Sequence, residues 1–287
     1  MIRRLDTVQC DILEIDVFSS GAFTGNPVAV IAGGEELAEI GGEAMQRIAA
    51  WLNYSETTFL LPPREPGADY RVRIFSTSQE FPFAGHPTLG TAKAWLELSE
   101  TESADQTIKQ ECGAGLVPVR LSGQTLSFAT PPRVRTGELS EDEIASICAA
   151  FDLERGEVVH AVWADNGPGW TAVELGSVET LHALELPRET VKVGFAAFTG
   201  KTDTLYEVRA FSNGREDPVT GSLNGAVAQW MRETGRAPRT YSVAQGLQLG
   251  RAGRIEVCDD SDDIWIGGGV DVRVRGTIAL GDVANGA

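Results

Sequence analysis

The amino-acid sequence predicts an α+β protein of two pseudo-symmetric halves, each a curled β-sheet around a central helix. Three observations predict it. A strand-like segment recurs at a fixed distance along the chain, each copy leads through a turn into an apolar helix, and both helices are almost uncharged around their circumference. Tyr70-Arg71-Val72-Arg73-Ile74-Phe75-Ser76 returns as Tyr206-Glu207-Val208-Arg209-Ala210-Phe211-Ser212, and the match runs on without a gap through Glu80, Pro82 and Gly85, which fall on Glu216, Pro218 and Gly221. The offset is 136 residues throughout, and positions 70–85 share eight of sixteen residues with their counterparts; unrelated stretches share about one at average residue frequencies. Duplication explains this match and chance does not.

Each element follows from its own pattern. Met45, Ile48, Ala49 and Leu52 keep helical spacing and predict an outer helix with one apolar stripe. Glu56 follows it, at the head of a strand otherwise free of charge through Leu61. Tyr70–Ser76 alternates and is rich in aromatic and β-branched residues, which predicts a strand. Gly85-His86-Pro87 then opens a helix through Leu96, with Pro87 suited to the first turn, where a missing N–H loses no bond. The double proline in Ala129-Thr130-Pro131-Pro132-Arg133 continues neither ladder nor helix, so the halves are expected at 1–130 and 131–287, with the last strand free to pair back with the first half. Ser140-Glu141-Asp142-Glu143 is a capping box for a second outer helix carrying Ile144, Ile147, Cys148 and Phe151. Tyr206–Ser212 repeats the strand, and Gly221-Ser222 opens the second buried helix. A helix apolar on all sides needs cover on all sides, which a curled sheet supplies.

Composition narrows the class of function. With 42% hydrophobic and 23% charged residues the chain is that of a folded protein. A formal net charge of −17 disfavours nucleic acid and anionic membrane surfaces as partners. Asp6, Asp11, Glu14 and Asp16 interrupt any apolar run near the start, and no stretch reaches membrane-spanning length, so a cytoplasmic location is expected. The four cysteines are scattered without metal-ligand spacing and the three histidines are dispersed; reduced, mostly buried thiols and no metal site are expected.

Duplication also suggests where chemistry lies. Two homologous halves packed about a twofold axis bring equivalent loops together, and here these are Gly85-His86 and Gly221-Ser222, each at a helix start where N–H groups hold a small anion such as a carboxylate. The copies differ at this point: His86 stands where the second half has Ser222, and Phe81 where it has Asp217. An imidazole, a carboxylate and a hydroxyl would share the cleft. His160 and His182 have no such context and read as structural. Glu56, taken by itself, reads as a strand-end surface residue, and the offset of 136 sets Lys192 opposite it if the register is unbroken.

Three stretches resemble the motifs of the PhzF-like phenazine-biosynthesis family: Asn53-Tyr54-Ser55-Glu56-Thr57, Phe83-Ala84-Gly85-His86-Pro87-Thr88 and Glu216-Asp217-Pro218-Val219-Thr220-Gly221-Ser222. Phe23-Thr24-Gly25-Asn26-Pro27, Asn166-Gly167-Pro168-Gly169-Trp170, Gln245-Gly246 and Gly250-Arg251 support the resemblance, which covers nearly the whole chain in order. It implies the diaminopimelate epimerase-like fold, with Glu56 as general acid/base and His86, Asp217 and Ser222 around the substrate. It further implies that the Gly85 and Gly221 backbones receive a substrate carboxylate, that Asn26 contributes to binding, and that the protein is a homodimer needing no cofactor. The type reaction is isomerisation of trans-2,3-dihydro-3-hydroxyanthranilate. Epimerases of this fold use a cysteine in each half; the corresponding positions here are not cysteine, which favours proton movement by Glu56. An amino- or hydroxy-acid racemase or epimerase, and a non-catalytic ligand-binding or regulatory homologue, are the alternatives. Departures from the family pattern at Ser212-Asn213-Gly214-Arg215, at Leu223 and at Arg251-Ala252-Gly253-Arg254 bear on pocket shape.

Overall fold

The computed structural model describes residues 8–99 and 105–280. The chain divides into two compact units, one holding the residues up to Phe128 together with those from Gly269 on, the other Ala129–Gly268.

In the first unit β1 (Gln9–Ser19), β2 (Asn26–Ala32), α1 (Glu35–Glu39), α2 (Gly41–Leu52), β3 (Glu56–Leu61), β4 (Tyr70–Ser76), β5 (Glu80–Phe81), α3 (Gly85–Leu98), β6 (Asp105–Cys112), β7 (Gly115–Ser122) and β8 (Thr125–Ala129) follow in order. The strands pair in the order β1-β2-β3-β4-β6-β7-β8, parallel at β2–β3 and β4–β6 and antiparallel elsewhere. Helix α3 packs against β1, β2, β3, β4 and β6, so the sheet curls around it. Its small residues permit this approach: a Cβ on Gly90 would lie 2.3 Å from the Val28 side chain. On the opposite face of the sheet α2 turns Met45, Ile48 and Ala49 onto Ile31, Phe59, Leu61 and Phe75, which is the stripe its spacing predicts. Helix α2 stops at Asn53, a left-handed C-cap with φ of 61°, a conformation that Asn tolerates better than most residues.

The second unit contains α4 (Glu141–Phe151), β9 (Val158–Trp163), β10 (Thr171–Leu175), α5 (Val178–Ala183), β11 (Val193–Phe198), β12 (Tyr206–Ser212), β13 (Arg215–Asp217), α6 (Gly221–Glu233), β14 (Thr240–Gln245), β15 (Gly253–Asp259) and the start of β16 (Ile264–Ala279). Its strand order, β9-β10-β11-β12-β14-β15, has the same succession of antiparallel and parallel neighbours as β1-β2-β3-β4-β6-β7. The repeated segments match in register. Ile74 faces Phe81 and Phe75 faces Glu80 across β4–β5, while Ala210 faces Asp217 and Phe211 faces Glu216 across β12–β13. Arg73 pairs with Glu80 and lies 5.1 Å from the Phe75 ring; Arg209 pairs with Glu216 and lies 5.1 Å from the Phe211 ring.

The predicted capping box is present at α4: Ser140 Oγ accepts from the Glu143 amide and Glu143 Oε2 accepts from the Ser140 amide. Ile144, Ile147, Cys148 and Phe151 of that helix pack with Val193, Phe195 and Phe211. Buried α6 approaches β11 closely, since a Cβ on Gly194 would lie 2.2 Å from the Leu223 side chain. Leu223, unusual for its position in the expected pattern, is thus accommodated by a glycine on the facing strand.

Strand β16 pairs antiparallel with β1 from Gly269 to Ala279, and these residues belong to the first unit. One expectation needs correction, that of mostly buried thiols. Cys10 and Cys148 are buried free thiols, whereas Cys112 is half-buried and Cys258 exposed; Cys258 falls on an outward position of alternating β15.

Candidate active site

In the first unit Glu56 and His86 meet. Glu56 is the first residue of β3, and alternation sets its face: Phe59 and Leu61 enter the outer core with α2, while Thr58 Oγ1 accepts from Thr91 Oγ1 of α3 at 2.9 Å. Glu56 therefore lies on the α3 side of the sheet. His86 is the second residue of α3 and is buried, with Nδ1 3.5 Å from Glu56 Oε2. Burial pushes the Glu56 carboxyl up from 4.5 to about 7, and a hydrogen bond from Ser55 opposes the rise. Read alone, the sequence placed Glu56 on the surface; the structure leaves about 19% of its side chain exposed.

Gly85 begins α3, which has no side-chain cap at its start. Asn26, 1% exposed, begins β2, and the parallel register of Ala29 with Thr57 sets it at the same end of the sheet as Glu56. The turn before it is tied down by Asp16, whose carboxylate accepts from the Thr24 and Gly25 amides at 3.0 and 2.8 Å. Gly25 is required there, since a Cβ would lie 2.1 Å from the Val17 carbonyl oxygen.

The second unit holds Asp217, Gly221 and Ser222. Asp217 ends β13, and its Oδ2 accepts from Thr220 Oγ1 at 2.7 Å. Thr220 is the N-cap of α6, but with its hydroxyl turned to Asp217 no side chain caps the helix, and Gly221 and Ser222 open it. Gln245 fixes this turn: its Oε1 accepts from the Thr220 amide at 3.1 Å and its Nε2 donates to the Asp217 carbonyl at 3.0 Å. Ser222 is oriented from outside the helix. Trp170 Nε1 donates to its Oγ at 3.0 Å and Asn166 Nδ2 donates to its carbonyl at 2.9 Å. Indole is only a donor, so the serine proton is left to point elsewhere.

Asn166, Trp170 and Gln245 lie in stretches that carry the family resemblance, outside the repeated segments 70–85 and 206–221, and their contacts span 56, 52 and 25 residues, so sequence alone assigns them no role. His160 packs edge-on against Trp230, and His182 pairs with buried Glu207.

The family model described as phenazine biosynthesis-like protein matches residues 15–277. The chain belongs to the PhzC-PhzF family. A relative from Schizosaccharomyces pombe, "Antisense-enhancing sequence 1", is 31% identical over 92% of this chain and 96% of its own. The trans-2,3-dihydro-3-hydroxyanthranilate isomerase of Pseudomonas aeruginosa is 33% identical over 84% of this chain and 87% of its own. Among solved structures, a predicted epimerase from Pseudomonas aeruginosa superposes with a TM-score of 0.78 at 25% identity, covering 94% of this chain and 99% of that one. Further relatives of this PhzF-type chain also carry the name isomerase, so the chain is an enzyme of an isomerase family. Its fold is the mixed α/β fold of these PhzF and epimerase-like proteins. No helix among the described residues is long and apolar enough to cross a membrane.

Proposed function

We propose that this chain is a cofactor-independent isomerase that moves a proton between two carbons of a small carboxylate substrate, with Glu56 as the proton carrier. Trans-2,3-dihydro-3-hydroxyanthranilate, the substrate in the name of the Pseudomonas aeruginosa relative, is the compound to try first. The observation that carries the reading is the buried Glu56 carboxyl, raised to about 7 beside His86. A group that takes a proton from one carbon and returns it to another must be both base and acid in one turnover, and a value near neutrality populates both forms. Ordinary glutamate, near 4.5, would be a poor acid at pH 7.

His86 is assigned to hold the Glu56 carboxylate and to help the proton move, a role its distance permits. Asp217, Ser222, the Gly85 and Gly221 backbones and Asn26 are each assigned a part in substrate binding. Positioned acid/base catalysis supplies about 10²–10⁴ in rate. The Glu56→Gln protein is expected to bind the ligand and to lose turnover by that factor or more. Normal turnover by the variant would refute the assignment. Turnover in D₂O separates the racemase reading, which would carry deuterium into both stereoisomers of a substrate.

A further inference from the structure

The two units hold their buried helices alike at one place and differently at another. In the first, Gln110 Nε2 of β6 donates to Thr88 Oγ1 of α3 at 2.9 Å; in the second, Asn224 Nδ2 of α6 donates to Gln245 Oε1 of β14 at 2.8 Å. Thr88 and Asn224 are repeat counterparts, 136 residues apart, so this tie belongs to the shared fold. The first unit adds another. Thr91 Oγ1 of α3 is within hydrogen-bond distance of Thr58 Oγ1 of β3, at 2.9 Å, and of the Pro87 carbonyl oxygen, at 2.8 Å.

The counterparts of these two threonines carry no hydroxyl. Thr91 corresponds to Val227 at the same offset. Thr57 faces Phe75 across β3–β4 and Val193 faces Phe211 across β11–β12, so Thr58 corresponds to Gly194, where Leu223 fills the space of a side chain. The same register sets Lys192 at the place of Glu56, which leaves the second unit no carboxylate to hold there. Thr58 and Thr91 are both 0% exposed. A buried hydroxyl pair adds little net stability over apolar groups of the same shape, and α6 is buried without one. The hydroxyls thus accompany the Glu56 carboxyl, not the fold.

Their placement shows what they do. Thr58 lies two residues beyond Glu56 on the same face of β3, about 7 Å along the strand. Thr91 lies five residues beyond His86 on α3, about 7.5 Å along the helix, and it grips the carbonyl of Pro87, the next residue after His86. Glu56 Oε2 and His86 Nδ1, 3.5 Å apart, form one contact between β3 and α3, and the threonines form a second at nearly the same distance along both elements. One contact leaves a helix free to pivot against a strand; two fix its direction. Across β4 Glu56 faces the uncharged Ser76, and the ionisable group in contact with it is His86.

We propose that Thr58 and Thr91 are positioning residues whose paired hydroxyls hold the Glu56 carboxyl against His86, an inference that rests on the reading of Glu56 as the proton carrier. Both are fully buried and act through the carboxyl. Without the pair α3 pivots on β3, water reaches the carboxyl, and its pKa falls from about 7 toward the ordinary 4.5.

The test is carboxyl-carbon NMR on the full chain labelled at glutamate, with the Glu56 signal identified by its loss in Glu56→Gln. In the wild type Glu56 is expected to titrate near 7. In the double variant Thr58→Val with Thr91→Val it is expected to titrate lower by about one unit or more, while the urea midpoint of unfolding stays at the wild-type value, since both partners become apolar together. Thr91→Val alone leaves the Thr58 hydroxyl without this partner and should unfold at lower urea; Thr91→Ser keeps the hydroxyl and should titrate as the wild type does. With trans-2,3-dihydro-3-hydroxyanthranilate as substrate, kcat of the double variant should fall about 10–100-fold with KM within about twofold. An unmoved titration or an unaltered kcat in the double variant would overturn the proposal, as would a large loss of its stability, a Thr91→Ser protein shifted as far, or a wild-type Glu56 that titrates near 4.5. The two readings fail separately: normal turnover by Glu56→Gln refutes the proton carrier, whereas an unmoved Glu56 titration in the double variant refutes the clamp.

Discussion

Replacing Glu56 by Gln should stabilise the protein, and the gain should depend on pH. Burial lifts this carboxyl from 4.5 to about 7 in the folded chain. Below pH 4.5 folded and unfolded chains both hold the proton, and the side chain carries no penalty. Between pH 4.5 and 7 the unfolded chain releases it while the folded chain retains it, so stability falls as pH rises; above 7 the full cost is present. At about 1.36 kcal/mol per pH unit that cost is about 3–4 kcal/mol, an upper bound because about 19% of the side chain is exposed. Gln keeps the shape and cannot ionise. Thermal melts of both proteins from pH 4 to pH 8 should therefore coincide at the acid end and separate by several degrees at the alkaline end, with Gln the more stable. A gap that is constant with pH, or one that closes as pH rises, would refute the claim that Glu56 is a desolvated carboxyl.

The duplicated ion pairs offer a second test. Arg209 and Glu216 are 8% and 3% exposed, whereas Arg73 and Glu80 are 27% and 42% exposed. Glu216→Gln should cost about 3–5 kcal/mol by leaving a buried guanidinium uncompensated, and Glu80→Gln at most about 1 kcal/mol; denaturant unfolding of the two variants measures both. Gly194→Ala should cost about 1–3 kcal/mol, because its Cβ would overlap the Leu223 side chain, and Leu223→Ala in the same chain should recover part of the loss in the same assay. Trp170→Phe removes the donor to Ser222 Oγ while keeping an aromatic ring near Lys192. It should lower kcat more than it raises KM, as steady-state kinetics with an accepted substrate would show.

The sequence by itself determined the repeat and much of what the repeat specifies. Eight shared residues in sixteen announced matching strand, hairpin and helix segments, and the structure gives them the same register. Ser140 and Glu143 announced the start of α4, and the Met45 stripe announced α2, because caps and helical spacing act over three or four residues. Only the tertiary structure decided how far Glu56 is buried and how close it comes to His86, 30 residues away. Hydrophobic pattern cannot show that a lone carboxylate at a strand end turns toward the buried helix, since desolvation depends on what distant segments pack over it. The same holds for Trp170 on Ser222 and for the return of β16 to β1, contacts joining residues 52 and 250 to 270 positions apart. Local order is encoded in neighbouring residues. The electrostatics of the site arise from segments that meet only once the chain has folded.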